Sequence, residues 1–276
     1  MSTVSPPSRL RAYQEAVADV LDGLGDLAQF TGRAVCWLVR RRQRVSSLLP
    51  ILHNVGIRSI MVVWVTGLFI GMVLAVQSFA QFNQVGLATR LGAIVNTSVV
   101  RELGPVLAAT MLAGRVGSAM AAEIATMRVT EQIDALECLG ANPIQHLVVP
   151  RLLACVSLIP ILTILANFMG VMGGALISIQ VYHVEAYHYW HNAEGFVTLW
   201  DVVVGLIKPM FFGAAIALIS CHRGFNSKPG AEGVGRAATE AFVFSFIAIL
   251  ALDFFLALFL NNLHELLWRS AGPNLI

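Results

Sequence analysis

The most informative segment of the chain is RELGPVLAATMLAGRVGSAMAAEIATMRVTEQIDALECLGANP, residues 101–143. It begins within an apolar run with an adjacent charge pair, Arg101-Glu102, and continues through a run of small residues. From Glu123 to Leu139 it becomes charged and amphipathic, and it ends at a Gly-Ala-Asn-Pro turn before the next apolar run. This pattern predicts a membrane-spanning helix with charges inside the bilayer, joined directly to a polar helix outside it.

The composition of the whole chain indicates a membrane protein. Of 276 residues, 57% are hydrophobic and 12% are charged, whereas a soluble domain has about 25% charged residues. The uncharged runs Ser59–Thr89 and Leu152–Val184 contain 31 and 33 residues, and roughly 20 suffice to cross a bilayer. The sequence therefore predicts an all-α polytopic membrane protein, with no nucleic-acid partner.

Hydropathy divides the chain into about five membrane-spanning helices. The predicted spans are approximately Gly56–Phe82, Leu91–Met120, Leu152–Val181, Phe196–Cys221 and Arg236–Leu260. We predict an N-terminal tail and amphipathic helix over residues 1–48, a membrane domain over 49–265 and a tail over 266–276. The polar, aromatic-rich segment Tyr182–Glu194 is predicted to be a loop.

Apolar residues recur at helical spacing between Leu10 and Leu38, and the basic cluster Arg40–Arg44 follows. This predicts an amphipathic helix on the inner leaflet, with its arginines on anionic headgroups. The alternative is a small soluble helical hairpin. Most lysines and arginines fall on one side of the five spans if the N-terminus is cytosolic, so the positive-inside rule predicts an N-in, C-out topology.

Charged residues fall inside three predicted spans, where each costs at least about 2.5 kcal/mol at mid-bilayer and indicates a functional site by default. They are Arg101, Glu102, Lys208 and Asp253, with Asp201 nearer the rim. From the helical rise, Glu102, Lys208 and Asp253 lie roughly 15, 18 and 12 Å from the outer ends of their spans. One interpretation is an outward-facing site in which Lys208 or Arg101 binds the phosphate of a lipid headgroup. The other is an ion-pair network that only orients the helices.

The chain contains no nucleotide-binding motif, because both of its lysines, Lys208 and Lys228, are followed by proline. ATP hydrolysis would therefore need a partner subunit. The predicted docking surface is the helix over Glu123–Leu139, although a simple loop is the alternative; its coupling residues are Glu123, Arg128, Glu131, Asp134 and Glu137. We predict no cofactor and no metal, because interfacial residues account better than a metal site for the histidines of Tyr182–Glu194.

Segment 101–143, followed by LVVPR (147–151), closely resembles the MlaE/YrbE permease family. GLFIGMVLAVQ (67–77), GAEGVGRAATEA (230–241) and LDFFL (252–256) resemble other parts of the same family. These permeases are the membrane subunits of ABC transporters that work with MCE-domain proteins.

The resemblance implies a homodimeric, non-enzymatic permease of a bacterial inner membrane, rather than of a chloroplast inner envelope. It would move phospholipids or related lipids between membranes, in a system that maintains outer-membrane lipid asymmetry. ATPase subunits would bind the coupling helix, and a ring of MCE proteins would lie outside. The lipid-pocket positions implied by the family are Gln77, Phe82, Arg101, Glu102, Lys208 and Asp253. A stand-alone intramembrane lipid-modifying enzyme or a scaffold for an MCE assembly are the alternatives.

Overall fold

The computed structural model describes residues 9–40, 45–84, 86 and 90–270, which form helices without any strand. The helices are α1 (Arg9–Arg40), α2 (Val45–Val55), α3 (Ile57–Gln84), α4 (Leu91–Ser98), α5 (Gly104–Leu112), α6 (Ser118–Val129), α7 (Gln132–Cys138), α8 (Val149–Leu176), α9 (Ala186–Phe196), α10 (Leu199–Phe225) and α11 (Ala231–Ser270). Short π-helical turns join α4, α5 and α6 into one rod, and two others flank α8.

Within the described ranges, five helical stretches are long and apolar enough to cross a membrane, which confirms the predicted fold class. They are Leu48–Gln84, Leu91–Val129, Ile144–Val181, Leu199–Phe225 and Ala231–Leu266. The first and third begin well before their predicted starts, the second ends well after its predicted end, and the fifth extends beyond both, because helical structure continues past each apolar run. Hydropathy alone does not register that continuation.

The first and third spans pack closely through glycines. A Cβ atom on Gly71 would lie 1.8 Å from the carbonyl oxygen of Gly170, and one on Gly67 would lie 2.5 Å from that of Ala166. Only glycine allows such backbone proximity, as the G-x-x-x-G spacing predicts. Beside this seam the central core includes Val63, Ile159 and Phe212, all fully buried.

The second span is interrupted by a π-helical turn at Val99–Leu103, immediately before Pro105. Proline has no N–H, so the carbonyl of Val100, five residues earlier, receives no bond from position 105 in a π turn. The side-chain amide of Asn167 donates to that carbonyl instead, at 3.4 Å. The local sequence thus widens the helix at the Arg101-Glu102 pair.

The two ends of the bundle carry different segments. At one end, termed the α7 end, helix α1 packs over α7 and the end of α10 through Phe30, Ala34 and Ile133. At the opposite end, termed the α9 end, Tyr189 of α9 is fully buried against α4. The predicted N-terminal helix is confirmed as one continuous helix, while its position on the leaflet stays a prediction; Arg41–Arg44 lie outside the described residues.

Two local predictions were wrong. The predicted loop Tyr182–Glu194 contains helix α9, which is stabilised by the buried Tyr189 ring and by a 3.2 Å hydrogen bond from its hydroxyl to Asn96. Burial raises the pKa of Tyr189 to about 12. The predicted single helix over Glu123–Leu139 is divided between α6 and α7, because the backbone at Glu131 adopts a left-handed conformation with φ 57°.

Candidate functional site

Lys208 is the centre of an ion-pair cluster that joins three spans. Its ammonium donates to Glu102 of the second span, and its Nζ lies 2.9 Å from Oδ1 of Asp253 on the fifth. The Lys208 side chain is fully buried, with an exposed fraction of 0%. The convergence expected from the depths of these residues is therefore confirmed, whereas their role in binding a lipid stays a prediction.

Arg101 extends the cluster towards the α9 end. Its Nη1 donates to Oδ1 of Asp201 at 3.1 Å, its Nε lies 3.7 Å from Glu102, and its other terminal nitrogen donates to the side-chain amide of Asn261. Asp201 is buried, and its second carboxylate oxygen accepts from the backbone and hydroxyl of Thr198 at 3.0 and 2.7 Å. This capping box holds the start of α10 and orients the carboxylate towards Arg101.

The cluster opens on the surface of the chain. Exposed fractions are 31% for the Arg101 side chain, 38% for Glu102 and 24% for Asp253. Two cations and three carboxylates give the five side chains a formal charge of −1. Charged groups cannot face the hydrocarbon of a bilayer without a large cost, so this face must lie against another protein surface or a polar cavity.

Lys208 and Arg101 are not equivalent within this site. The sequence left both as possible phosphate ligands, but Lys208 is enclosed between two carboxylates and has no exposed surface. Arg101 keeps 31% of its side chain exposed. The geometry therefore favours Arg101 as the group that can reach a ligand and Lys208 as the group that positions Glu102 and Asp253.

Gln77 and Phe82 lie in the last part of α3, towards the α9 end. Gln77 is exposed and Phe82 is half-buried, and within the described ranges neither belongs to the ion-pair cluster. Asn261 was missed by the sequence analysis. Its spacing of eight residues from Asp253 places both on nearly the same face of α11, which is the signal that could have indicated it.

The predicted coupling residues lie at the α7 end and are exposed on the chain. Arg128 pairs with Asp134 at 2.5 Å, which links the end of α6 to α7 across the turn at Glu131. Glu137 lines a polar cavity beneath α1. Glu123 differs from the others, because its carboxylate forms a 2.8 Å ion pair with the buried Arg151 at the start of α8.

Comparison with known proteins agrees with this architecture. The family model described as "Permease MlaE" matches residues 48–259. A probable ABC transporter permease protein of Synechocystis is 42% identical over 227 residues, which cover 82% of this chain and 86% of that protein. The intermembrane phospholipid transport system permease protein MlaE of Haemophilus influenzae is 34% identical over 248 residues, which cover 90% of this chain and 95% of that protein.

A protein of Arabidopsis thaliana is also similar to this chain. The chloroplastic protein TRIGALACTOSYLDIACYLGLYCEROL 1 of Arabidopsis thaliana is 36% identical over 228 residues, which cover 83% of this chain and 65% of that protein. The family model covers most of the chain, including all charged residues of the cluster and of the α7 surface. The chain is therefore a multi-pass protein of the bacterial inner membrane with five spans, and it belongs to the MlaE permease family.

Proposed function

We propose that this chain is the membrane subunit of an ABC transporter that moves phospholipids or related lipids between the inner membrane and an external MCE-domain carrier. A separate ATPase subunit supplies the energy. The similarity to permeases named for ABC transport and for intermembrane phospholipid transport supports this function. The proposed orientation is N-in, C-out, which makes the α7 end cytosolic and the α9 end external.

One observation carries the proposal: a cluster of five charged side chains lies within the membrane-spanning bundle and is partly exposed on one face. A network that only held the helices together would be enclosed, because water and ligand access weaken ion pairs. We infer that a second copy of the chain covers this face, and that the two copies enclose a cavity between them. The charges then bind a headgroup while the apolar walls contact the acyl chains.

Within the cavity, Arg101 is proposed to bind the lipid phosphate. A guanidinium presents several donors in a planar arrangement that matches phosphate oxygens. Glu102 keeps Arg101 charged and positioned, and buried Lys208 holds Glu102 and Asp253 in place. Gln77 and Phe82 are proposed to line the same cavity nearer the α9 end.

The ATPase is proposed to dock on the α7 end. Helix α7 and the residues at its two ends form an exposed surface that includes Glu131, Asp134 and Leu139, and Leu139 is 82% exposed. An apolar side chain surrounded by charges is typical of a partner surface. Glu123 joins this surface to the third span through Arg151, which gives the dock a direct contact with a membrane helix.

The substitution Arg101→Gln tests the lipid site. A charge-assisted hydrogen bond is worth about 1.5–3 kcal/mol, so we expect lipid transport in reconstituted vesicles to fall about 10- to 100-fold. Co-purification of the ATPase should stay within two-fold of wild type, because the substituted residue is far from α7. Arg90→Gln is the matched control, since Arg90 is an exposed arginine at the same end of the bundle, and it should transport normally. Unchanged transport in Arg101→Gln would refute the site.

A further inference from the structure

A second group of cations lies at the α7 end, away from the charge cluster. Arg58, Arg115, Arg151 and His146 line a cavity of about 620 Å³ between α2, α6 and the start of α8, a volume within the usual range of about 300–1,000 Å³ for ligand pockets. Among the described residues, Glu123 is the only acidic one in the lining. With histidine neutral, three arginines and one glutamate give the lining a formal charge of +2.

The polar contacts of these arginines leave two charges uncompensated. Arg151 is buried, and it pairs with Glu123 and donates to the carbonyl oxygen of Leu147, both at 2.8 Å. Arg115 donates to the hydroxyl of Ser59, which is neutral. Arg58 is exposed and lies close enough to Arg115 for their charges to repel, and it forms no ion pair within the part of the chain that the structure describes. A bound anion would relieve this repulsion.

The cavity is amphipathic, and its three arginines belong to three of the membrane-spanning stretches. Pro50, Ile51, Val55, Val116 and Met120 form its apolar lining. Exposed apolar side chains flank the arginine side on α3, where Ile57 is 61% and Met61 is 72% exposed. A soluble anion would gain nothing from these contacts, whereas a lipid would place its headgroup on the arginines and its chains along α3.

The position of the cavity separates it from the charge cluster. Arg115 follows Arg101 by 14 residues on the same span, which corresponds to about 21 Å along a helix. The two sites therefore lie in opposite halves of the bundle. Basic pockets between membrane helices are known to bind anionic lipid headgroups.

We propose that this cavity, termed the arginine cavity, binds the phosphate-bearing headgroup of an anionic phospholipid from the leaflet at the α7 end. Its distance from the charge cluster makes it a second lipid site. The bound lipid bridges α2, α6 and α8, and the ion pair between Glu123 of α6 and Arg151 of α8 also joins the proposed ATPase docking surface to the third span. It therefore stabilises the helix packing that links the proposed ATPase docking surface to the membrane helices.

Lipid binding to the purified full-length protein in detergent tests the proposal by native mass spectrometry. The probes are dioleoyl phosphatidylglycerol and dioleoyl phosphatidylcholine, which share acyl chains but differ in net charge. We expect phosphatidylglycerol to bind about ten-fold more tightly, and Arg58→Gln to abolish most of that preference. Arg58→Lys keeps the charge, and its affinity for phosphatidylglycerol should stay within about three-fold of that of the wild type. Arg236→Gln is the matched control, because Arg236 is an exposed arginine at the same end.

Each remaining outcome supports or overturns the proposal. Persistence of the phosphatidylglycerol preference in Arg101→Gln supports a site separate from the transport cavity, and its disappearance there overturns it. An unchanged preference in Arg58→Gln also overturns it. Displacement of the lipid by millimolar glycerol phosphate would assign the cavity to soluble anions. Loss of ATPase co-purification in Arg58→Gln with normal lipid binding would assign it to a protein partner.

Discussion

Replacing Lys208 by methionine distinguishes a headgroup site from a purely structural ion-pair network. Methionine has a similar length and no charge, so the substitution removes the ammonium group from between Glu102 and Asp253. Glu102 keeps a weaker interaction with Arg101, at 3.7 Å. Asp253 loses the cation that lies 2.9 Å from its carboxylate. The cost of leaving this carboxylate unpaired sets the loss of stability.

The expected loss of unfolding free energy follows from that distance. At an effective dielectric constant of about 20, a 2.9 Å ion pair corresponds to about 6 kcal/mol. The measured cost of removing one partner of a buried pair is smaller, about 3–5 kcal/mol. We therefore expect Lys208→Met to lower the free energy of unfolding by about 3–4 kcal/mol, close to the usual cost of breaking a buried pair.

Adding Asp253→Leu removes the stranded carboxylate. The double variant should recover most of the lost stability, with a coupling energy of about 2–3 kcal/mol in a double-mutant cycle. Denaturant titration in mixed micelles measures the stability of each variant. The exposed pair Arg128–Asp134 provides the control cycle, and its coupling should stay below about 1 kcal/mol because both side chains are solvated.

Transport then separates the two interpretations. If the cluster positions a headgroup, the double variant folds and assembles with its ATPase but does not transport lipid in reconstituted vesicles. Restored transport would show that the charges only hold the helices together. A Lys208→Met variant as stable as wild type would mean that this lysine does not hold the three spans together.

Three further predictions concern topology, coupling and packing. Single cysteines at the positions of His188 and Lys228, in a cysteine-free background, should be labelled from outside and from the cytosol respectively; the reverse pattern would refute the N-in orientation. Glu131→Lys with Asp134→Lys should weaken ATPase binding by about 3 kcal/mol, roughly 100-fold, through reversed interface charges, and wild-type co-purification would exclude α7 as the dock. Gly71→Ala should lower the melting midpoint strongly, because its Cβ would lie 1.8 Å from a backbone oxygen of α8; an unchanged midpoint would contradict the close packing of these helices.

Some features followed from the sequence because they depend on distance along the chain. The number of spans follows from the length of apolar runs, and the depth of Glu102, Lys208 and Asp253 follows from the helical rise. The close approach of α3 to another helix follows from the spacing of Gly67 and Gly71. The family resemblance also lies in linear motifs.

Other features could not be predicted from the sequence because they depend on contacts between distant segments. Helix α9 is too short and too polar to be predicted from periodicity, and it forms because Tyr189 packs against α4 and bonds to Asn96. The break between α6 and α7 lies at Glu131, a residue type with no preference for the left-handed conformation found there. No sequence pattern marks that position.

The same limit applies to the candidate site. Sequence alone determined that Glu102, Lys208 and Asp253 share a depth in the membrane, because the rise per residue is constant along any helix. The enclosure of Lys208 by two carboxylates and the partial exposure of Arg101 are visible only in the folded chain. The physical reason is that depth depends on position along one helix, whereas the direction of a side chain depends on how all the helices rotate to bury their apolar faces together.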